Sequence, residues 1–273
     1  MLRSLIIIIL IAVGLLFIGW LGFQIQPAHY QTDQRPDIHN TGSIKLPDSI
    51  PSSFNKYLHK ISDEPLKNTK TAIVWGRARL KIAGIWVPAR FKAFYAEGKN
   101  FYRQMEVTWF GRPVIKGVDS FIKGKGTFQM GNQERKGMYV SRGQKLTMMT
   151  EMVWTPAAYL HNPEISWNEK KEEPNTSQLL IPFQDTLHKL NVKINPHTHV
   201  IDMIYGERSQ GPDGNKKVWQ VKYEQWKKFN DILIPAKLSV TWKENPEPWS
   251  VFYVEGVKYN KDISDIIPYD ESI

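Results

Sequence analysis

The feature that most constrains the fold is a regular alternation of apolar and polar side chains in residues 73–99. One parity is apolar on both sides of an "AGI" turn and comprises Val74, Ala78, Leu80, Ile82, Val87, Ala89, Phe91, Ala93 and Tyr95. The other parity carries a basic patch made of Arg77, Arg79, Lys81, Arg90 and Lys92. A repeat of two predicts an antiparallel hairpin with one buried face, in which Arg79 lies near Arg90 and Arg77 near Lys92.

Similar segments continue almost to the carboxyl terminus and predict a long sheet. Turn signals such as "GPDGN" at 211–215 and "ENPEP" at 244–248 separate them, for roughly ten or eleven strands. Helical spacing occurs in residues 51–61, where serines can cap the helix, and around residues 146–153. A sheet of this length curls. The predicted fold is therefore mainly β (α+β): a long curved antiparallel sheet forming an open half-barrel, with two or three helices on its concave side.

An apolar run at the amino terminus, "LIIIILIAVGLLFIGWLGF" at residues 5–23, contains no charged side chain. At about 1.5 Å per helical residue it reaches roughly 28 Å, close to the ~30 Å hydrocarbon thickness of a bilayer. No A-x-A pattern follows it, which favours an uncleaved anchor over a cleaved signal peptide or a buried soluble helix. Arg3 indicates a cytoplasmic start. The sequence thus predicts a single-pass cell-membrane protein with a transmembrane anchor (1–23), a linker (24–45) and an extracytoplasmic half-barrel domain (46–273).

The charge balance is basic. The formal net charge is +9, and Arg3 is the only charged residue before Asp33, so the excess belongs to the part expected outside the cytoplasm. Nucleic acid is not an expected partner there. The expected partner is an anionic membrane surface or wall polymer, and the basic patch is the candidate contact surface. The alternative is that the patch is the solvated outer face of the sheet.

Motifs for metal or cofactor chemistry are weak. There is no cysteine, which removes disulfides, thiolate ligands and a cysteine nucleophile. "KGKG" at 123–126 lies between strand-like segments and lacks the phosphate-loop pattern, so a bend is expected. His197 and His199 have Asp202 nearby, but no further ligand at metal spacing, and are expected in a turn. We therefore expect no cofactor and no metal.

An enzyme is not favoured by the sequence, although paired carboxylates can meet in space without any sequence motif. The candidates are Glu151, Asp119 and Glu164. Glu151 is foremost, because it lies among methionines where burial would raise its pKa. The alternative function is therefore an envelope-acting hydrolase that uses buried carboxylates.

Methionine and tryptophan side chains supply the candidate ligand site, because an open curved sheet lined by them can hold an acyl chain. The candidates are Met148, Met149, Met152, Trp154, Trp109, Trp219 and Trp242. The alternative is that the same side chains fill the core. The expected function is non-catalytic binding of a lipid, a lipoprotein or another hydrophobic ligand, and a structural or adaptor domain at the membrane surface is a further alternative.

Four segments resemble, in order, an uncharacterised bacterial family: "LPDSIPSSFNKYL", "VDSFIKGKGTFQMG", "LTMMTEMVWTPAAYLHNPEISW" and "ILIPAKLSVTWKENPEPWSVFYVEGVKYN". The resemblance covers about residues 46–260 and is most specific in "MVWTPAAYL" and "IPAKLSVTW". Its members are membrane-anchored, and their fold resembles the half-barrels of the lipoprotein-carrier and outer-membrane lipoprotein-receptor group. The resemblance implies lipid or lipoprotein binding by analogy of fold and assigns no catalytic residue. The family's central helix carries an arginine, and the matching stretch 146–152 has none.

Overall fold

The computed structural model describes residues 2–30, 34–38, 42–47, 49–62, 65–209, 211 and 215–269. Its helices are α1 (Leu2–Gly22), α2 (Ser52–Ile61), α3 (Met138–Glu151) and α4 (Ala158–His161), with a 3₁₀ turn at Met152–Trp154. Its strands are β1 (Ser43–Ile44), β2 (Leu66–Lys67), β3 (Thr71–Ile82), β4 (Ile85–Ala96), β5 (Asn100–Trp109), β6 (Arg112–Ile122), β7 (Lys125–Met130), β8 (Gln133–Arg135), β9 (Ser166–Glu169), β10 (Thr176–Phe183), β11 (Thr186–Ile194), β12 (Ile201–Ser209), β13 (Lys216–Phe229), β14 (Ile232–Trp242) and β15 (Asn245–Tyr259).

Thirteen strands of the described residues form one antiparallel sheet in the order β8-β7-β6-β5-β4-β3-β15-β14-β13-β12-β11-β10-β9. The sheet has two free edges, at β8 and β9, so it is an open half-barrel, and the predicted fold class is confirmed. β1 and β2 pair separately. The sequence indicated fewer strands partly because β8 is three residues long and fully exposed, so hydrophobic alternation cannot reveal it.

The opening hairpin forms as predicted, but with a different register. Its turn is made by Ala83 at φ 47° and Gly84 at φ 83°, and two positive φ values are typical of the tight turns that join twisted strands. Arg77 therefore faces Arg90, and Arg79 faces Pro88. The difference from the prediction is two residues, which leaves every side chain on its predicted face.

The concave face of the sheet is covered by α2, α3 and the 3₁₀ turn. Their buried apolar residues are Phe54, Tyr57, Leu58, Ile61, Leu146, Met148, Met149, Met152, Val153 and Trp154. Trp154 also donates its indole N–H to the carbonyl of Pro235 at 3.2 Å, which joins the turn to β14. The predicted serine cap of α2 is wrong: the helix follows Pro51 without a side-chain cap, and the Ser53 hydroxyl bonds that of Ser177 at 2.7 Å.

A buried ionic network joins the end of α3 to the sheet. The Arg103 guanidinium on β5 donates to the Asp119 carboxylate on β6, at 3.0 Å from Nε, and to the Glu151 carboxylate on α3. The Tyr95 hydroxyl on β4 donates to the other oxygen of Glu151 at 2.7 Å. Since Arg103, Asp119 and Glu151 are all buried, each charge depends on the others for solvation.

The two charged ends of this network respond differently to burial. Burial alone would lower the pKa of Arg103, but the carboxylates of Asp119 and Glu151 raise it above its ordinary value. Burial raises the pKa of Glu151, and the Arg103 guanidinium and the Tyr95 hydroxyl oppose that rise only in part. The guanidinium is therefore charged throughout, whereas the protonation of Glu151 depends on its surroundings.

Two methionines of α3 provide a matched test of the core. Met149 is 0% exposed and Met138 is 65% exposed. We expect Met149→Ala to lower the free energy of unfolding by about 2–5 kcal/mol, because it leaves a cavity. Met138→Ala should change it by no more than about 0.5 kcal/mol. Denaturant midpoints of the two variants measure this, and equal midpoints would contradict the placement of α3.

The ionic network predicts a pH-dependent loss of stability. Arg103→Met should lower the free energy of unfolding by about 3–5 kcal/mol, because two carboxylates are left buried without a cation. The pKa of Glu151 is raised in the folded protein, so the folded state favours the protonated carboxyl group. The contribution of Glu151 to the free energy of unfolding is therefore fully present below its ordinary pKa and is lost as the pH rises through the raised pKa. Without Arg103 that pKa rises further, so the difference from the wild type should widen as the pH is raised above the ordinary pKa of Glu151.

The control for this variant is an ion pair on the outer face. Lys237 lies 2.9 Å from Glu224, and both are partly exposed. Lys237→Met should cost no more than about 1 kcal/mol. A similar cost for the two variants in urea denaturation would contradict the structural role of Arg103.

Candidate functional site

An apolar cavity of about 250 Å³ lies between α3 and the concave face of the sheet. Its apolar lining includes Met105, Val221, Trp219, Leu238, Val240 and Phe252. These residues come from β5, β13, β14 and β15, and they share the parity that faces the helices. The cavity is therefore a part of the concave face that α3 covers without filling.

The cavity reaches the protein surface at one end of the sheet. Ile82 and Trp249 contribute to its lining, and each is also 40% exposed. Ile82 ends β3, and Trp249 lies near the start of β15. The mouth is thus formed by strand ends and not by helix α3.

The buried ionic network forms one wall of the cavity. Arg103, Asp119 and Glu151 all contribute to the lining. Both carboxylates accept hydrogen bonds from the same guanidinium, so neither is placed as a free general base or nucleophile. Glu164, the third candidate carboxylate, is on the outer surface and bonds Lys145 at 2.7 Å. The arrangement is that of a structural network and gives no support to the hydrolase alternative.

A second arginine, Arg208, lines the cavity and differs from Arg103 in its partners. Arg208, near the end of β12, is half-buried, donates to the Thr147 hydroxyl at 3.1 Å and stacks over Trp219 at 4.8 Å. Among the described residues it has no carboxylate within ion-pair distance. Burial lowers the pKa of Arg208, yet a guanidinium keeps its proton in proteins. Its charge is therefore available to an anionic group.

Arg208 also borders a larger, polar groove of about 770 Å³ along β11–β13. The cations of this groove are Arg142, Lys170, Lys189, Arg208, Lys216 and Lys243, and its anions are Glu173 and Glu207. Lys170 bonds Glu173 at 2.7 Å, and Lys216 lies 4.0 Å from Glu207. The groove keeps an excess of positive charge, and Arg208 stands where it meets the apolar cavity.

The structure separates the seven candidate ligand residues into three groups. Met148, Met149, Met152 and Trp154 belong to the filled core, and Trp242 is partly buried against it. Trp109 lies at the end of β5 beside α1. Trp219 alone of the seven lines the apolar cavity. Their binding role stays a prediction, and the geometry concentrates it on Trp219.

The basic patch is covered in part by residues 24–30. Arg77 bonds the side chain of Gln26 at 2.5 Å and lies 3.2 Å from Glu255. Arg90 bonds Glu106 at 2.7 Å and lies 4.7 Å from the Tyr30 ring. Lys92 is only 7% exposed. These three cations do not form an open surface.

The remaining two cations of the patch are nearer the surface. Arg79 is exposed and lies over the Trp86 ring, and Lys81 bonds Glu247 at 2.8 Å. Contact of the patch with an anionic membrane or wall polymer stays a prediction, and only these two positions are placed for it.

The weaker motifs fall in turns. Lys123 and Gly124, at φ 50° and 77°, form the bend between β6 and β7. His197 and His199 lie in the connection from β11 to β12, where the Asn195 side chain bonds the backbone of residues 197 and 198. Within the described part of the chain, no group of three metal-ligating side chains comes together.

Helix α1 is long and apolar enough to span a bilayer, with a mean hydropathy of 2.9. Its carboxyl end contacts the β5–β6 turn: the Trp109 indole donates to the Gly19 carbonyl at 3.0 Å, and the Phe110 amide to the Gly22 carbonyl at 2.8 Å. A Cβ at Gly22 would lie 2.1 Å from Trp109, so the contact requires glycine there. Residues 2–18 are all exposed, so the helix leaves the domain at this point.

Solved structures of low identity align with most of this chain. A LolA superfamily protein from Nitrosomonas europaea aligns over 80% of this chain and 98% of its own, with 12% identity and a TM-score of 0.47. A DUF1329 family protein from Desulfovibrio piger aligns over 83% and 99%, with 10% identity and a TM-score of 0.45. No protein of curated function matches the sequence significantly. The profile of DUF6544, a family of unknown function, matches residues 44–254, and the chain belongs to that family.

Proposed function

We propose that this protein is a membrane-anchored, extracytoplasmic binding protein that holds an anionic amphiphile, with an acyl chain in the apolar cavity and the head group at Arg208. The observation that carries the proposal is the cavity itself, an apolar space within the domain that opens to the surface. A lipid or the acylated end of a lipoprotein matches its lining. Anchoring by α1 and placement outside the cytoplasm are part of the proposal.

Volume limits what this cavity can hold. About 250 Å³ is slightly below the roughly 300–1,000 Å³ of typical small-molecule sites. It suits one acyl chain or part of one. A ligand with several chains would need α3 to move, and the ionic network at the end of α3 resists such a movement.

The position of Arg208 supports an anionic head group. The Arg208 guanidinium lies where the apolar cavity meets the groove with excess positive charge. A fatty acid or a phospholipid has the complementary arrangement, an apolar chain joined to an anionic head group. A charged hydrogen bond there would replace the solvation that burial removes from the guanidinium. An adaptor acting through the basic patch receives less support, because Arg77, Arg90 and Lys81 are bonded to other side chains and Lys92 is buried.

Filling the cavity tests the binding site. Val221 lines the cavity, whereas Lys222 is exposed on the other face of β13. We expect Val221→Phe to weaken binding of a dansyl-labelled fatty acid by roughly tenfold or more, because the ring takes the space of the chain. Lys222→Phe should leave binding unchanged. Fluorescence titration of the chain lacking α1 measures both, and binding that survives Val221→Phe would place the ligand elsewhere.

The head-group interaction has its own test. Arg208→Gln keeps a donor near Thr147 but removes the charge, so it should weaken binding of the free acid by roughly tenfold. The methyl ester of the same probe should bind both proteins equally. Arg135→Gln, a change at an exposed arginine on β8, is the control. An equal loss of affinity for the free acid and for its methyl ester would show that Arg208 shapes the cavity and does not bind the anionic group.

A further inference from the structure

We propose that one end of the sheet inserts into the surface of the bilayer that holds α1, so that the cavity mouth faces lipid and not water. This end, here called the rim, comprises residues 82–85, 109–115 and 242–249. They belong to adjacent strands, from β6 through β5, β4, β3 and β15 to β14. The inference rests on the proposed function only in taking α1 as a lasting membrane anchor.

Exposed apolar side chains are concentrated at the rim. The β3–β4 and β5–β6 turns and the start of β15 present Ile82, Ile85, Trp109, Phe110, Val114, Ile115 and Trp249. At the opposite end of the same strands, the described residues present no exposed large apolar side chain. Single exposed apolar residues are ordinary, but a contiguous group on one edge marks an interaction surface.

The contact with α1 identifies the partner as lipid. Trp109 and Phe110 belong to the rim and are the residues that bond the carboxyl end of α1. Ile25, just after the helix, is exposed and lies close to Gly111. The point where α1 would leave the bilayer therefore also belongs to the exposed apolar group, at its β5–β6 end. Tryptophan and phenylalanine suit the boundary between head groups and acyl chains.

The dimensions of the rim fit a membrane surface. Four strand spacings separate β6 from β15, and at about 4.8 Å each the apolar group spans roughly 19 Å. α1 stands at the β5–β6 turn, at one end of this span. Shallow insertion of side chains several ångströms into the interface is the usual depth for such surfaces.

Charge contributes little to this surface. The charged side chains of the rim are Arg112, Lys243, Glu244 and Glu247, and Glu247 is paired with Lys81 next to the rim. The net charge is close to neutral, so burial of apolar area drives the insertion. This differs from a basic surface, which requires anionic lipid and weakens in salt. The rim, and not the basic patch, is the membrane-facing surface.

Placing the rim in the bilayer gives the cavity an entrance from lipid. Ile82 and Trp249 belong both to the rim and to the cavity lining. An acyl chain could pass between them from the outer leaflet without crossing water, which avoids the cost of exposing a chain to solvent.

The absence of native cysteine allows a direct test in the full chain. Ile85→Cys and Val114→Cys place a label on the rim, and Lys125→Cys and Lys227→Cys place it at the opposite end, on exposed residues. Each variant is labelled with an environment-sensitive nitrobenzoxadiazole dye and reconstituted in phosphatidylcholine vesicles. A second set contains equal parts of phosphatidylcholine and phosphatidylglycerol. Lipids with a nitroxide on the acyl chain serve as quenchers.

We expect blue-shifted emission and strong nitroxide quenching at residues 85 and 114, and neither at residues 125 and 227. The quenching should be similar in both lipid mixtures and unaffected by salt. Rim labels quenched no more than the opposite labels would overturn the proposal. Quenching that requires phosphatidylglycerol would also overturn it, in favour of a charge-driven surface.

The fatty-acid titration of the chain lacking α1 keeps the two proposals apart. Quenched rim labels without fatty-acid binding would leave the rim placement standing and remove the proposed ligand. Intact fatty-acid binding with unquenched rim labels would remove the rim placement alone.

Discussion

The position of helix α3 depends on one buried guanidinium. Arg103 is held between Asp119 on the neighbouring strand and Glu151 at the end of the helix, so it fixes the helix at a set distance from the sheet. Apolar contacts could be satisfied by several nearby helix positions, whereas two hydrogen-bonded charges allow one. The cavity lies beside the helix that Arg103 holds, and Gln144 and Thr147 of that helix contribute to its lining.

This dependence explains why two arginines on the same face act differently. Arg103 is saturated by two carboxylates, and removing a partner would leave charge buried without compensation. Within the part of the chain that the structure describes, Arg208 is engaged only by the Thr147 hydroxyl and the Trp219 ring. One arginine belongs to the support of the site, and the other has hydrogen-bonding capacity left for a ligand. The acidic residues at the cavity wall therefore do not imply catalysis.

The fold could be predicted well from the sequence, and the site only in part. Period-two alternation shows which side chains of a strand share a face. This assignment stays correct although the register of the first hairpin differs from the prediction by two residues. Alternation does not show whether the side chains on facing elements fill the space between them. For this reason the sequence suggested Met148 and Met149 of α3 as ligand-lining residues, whereas the structure places them in the core. Arg208 could have been found, since it shares parity with the inward-facing Ile204 and Gly206. The cover over the basic patch could not, because residues 24–30 have no periodicity.

The connection between α1 and the sheet contains almost no slack. The helix ends against the β5–β6 turn, and residues 26–30 are bonded directly to Arg77 and Arg90. A soluble carrier moves its cargo by diffusing away from the membrane. Under the anchoring by α1 that we propose, a domain fastened this closely to the helix would not do so. The domain would reach only lipids of the leaflet next to it, and an acceptor protein would have to bind at the membrane to receive the ligand. Such a protein would serve as a fixed transfer station and not as a shuttle.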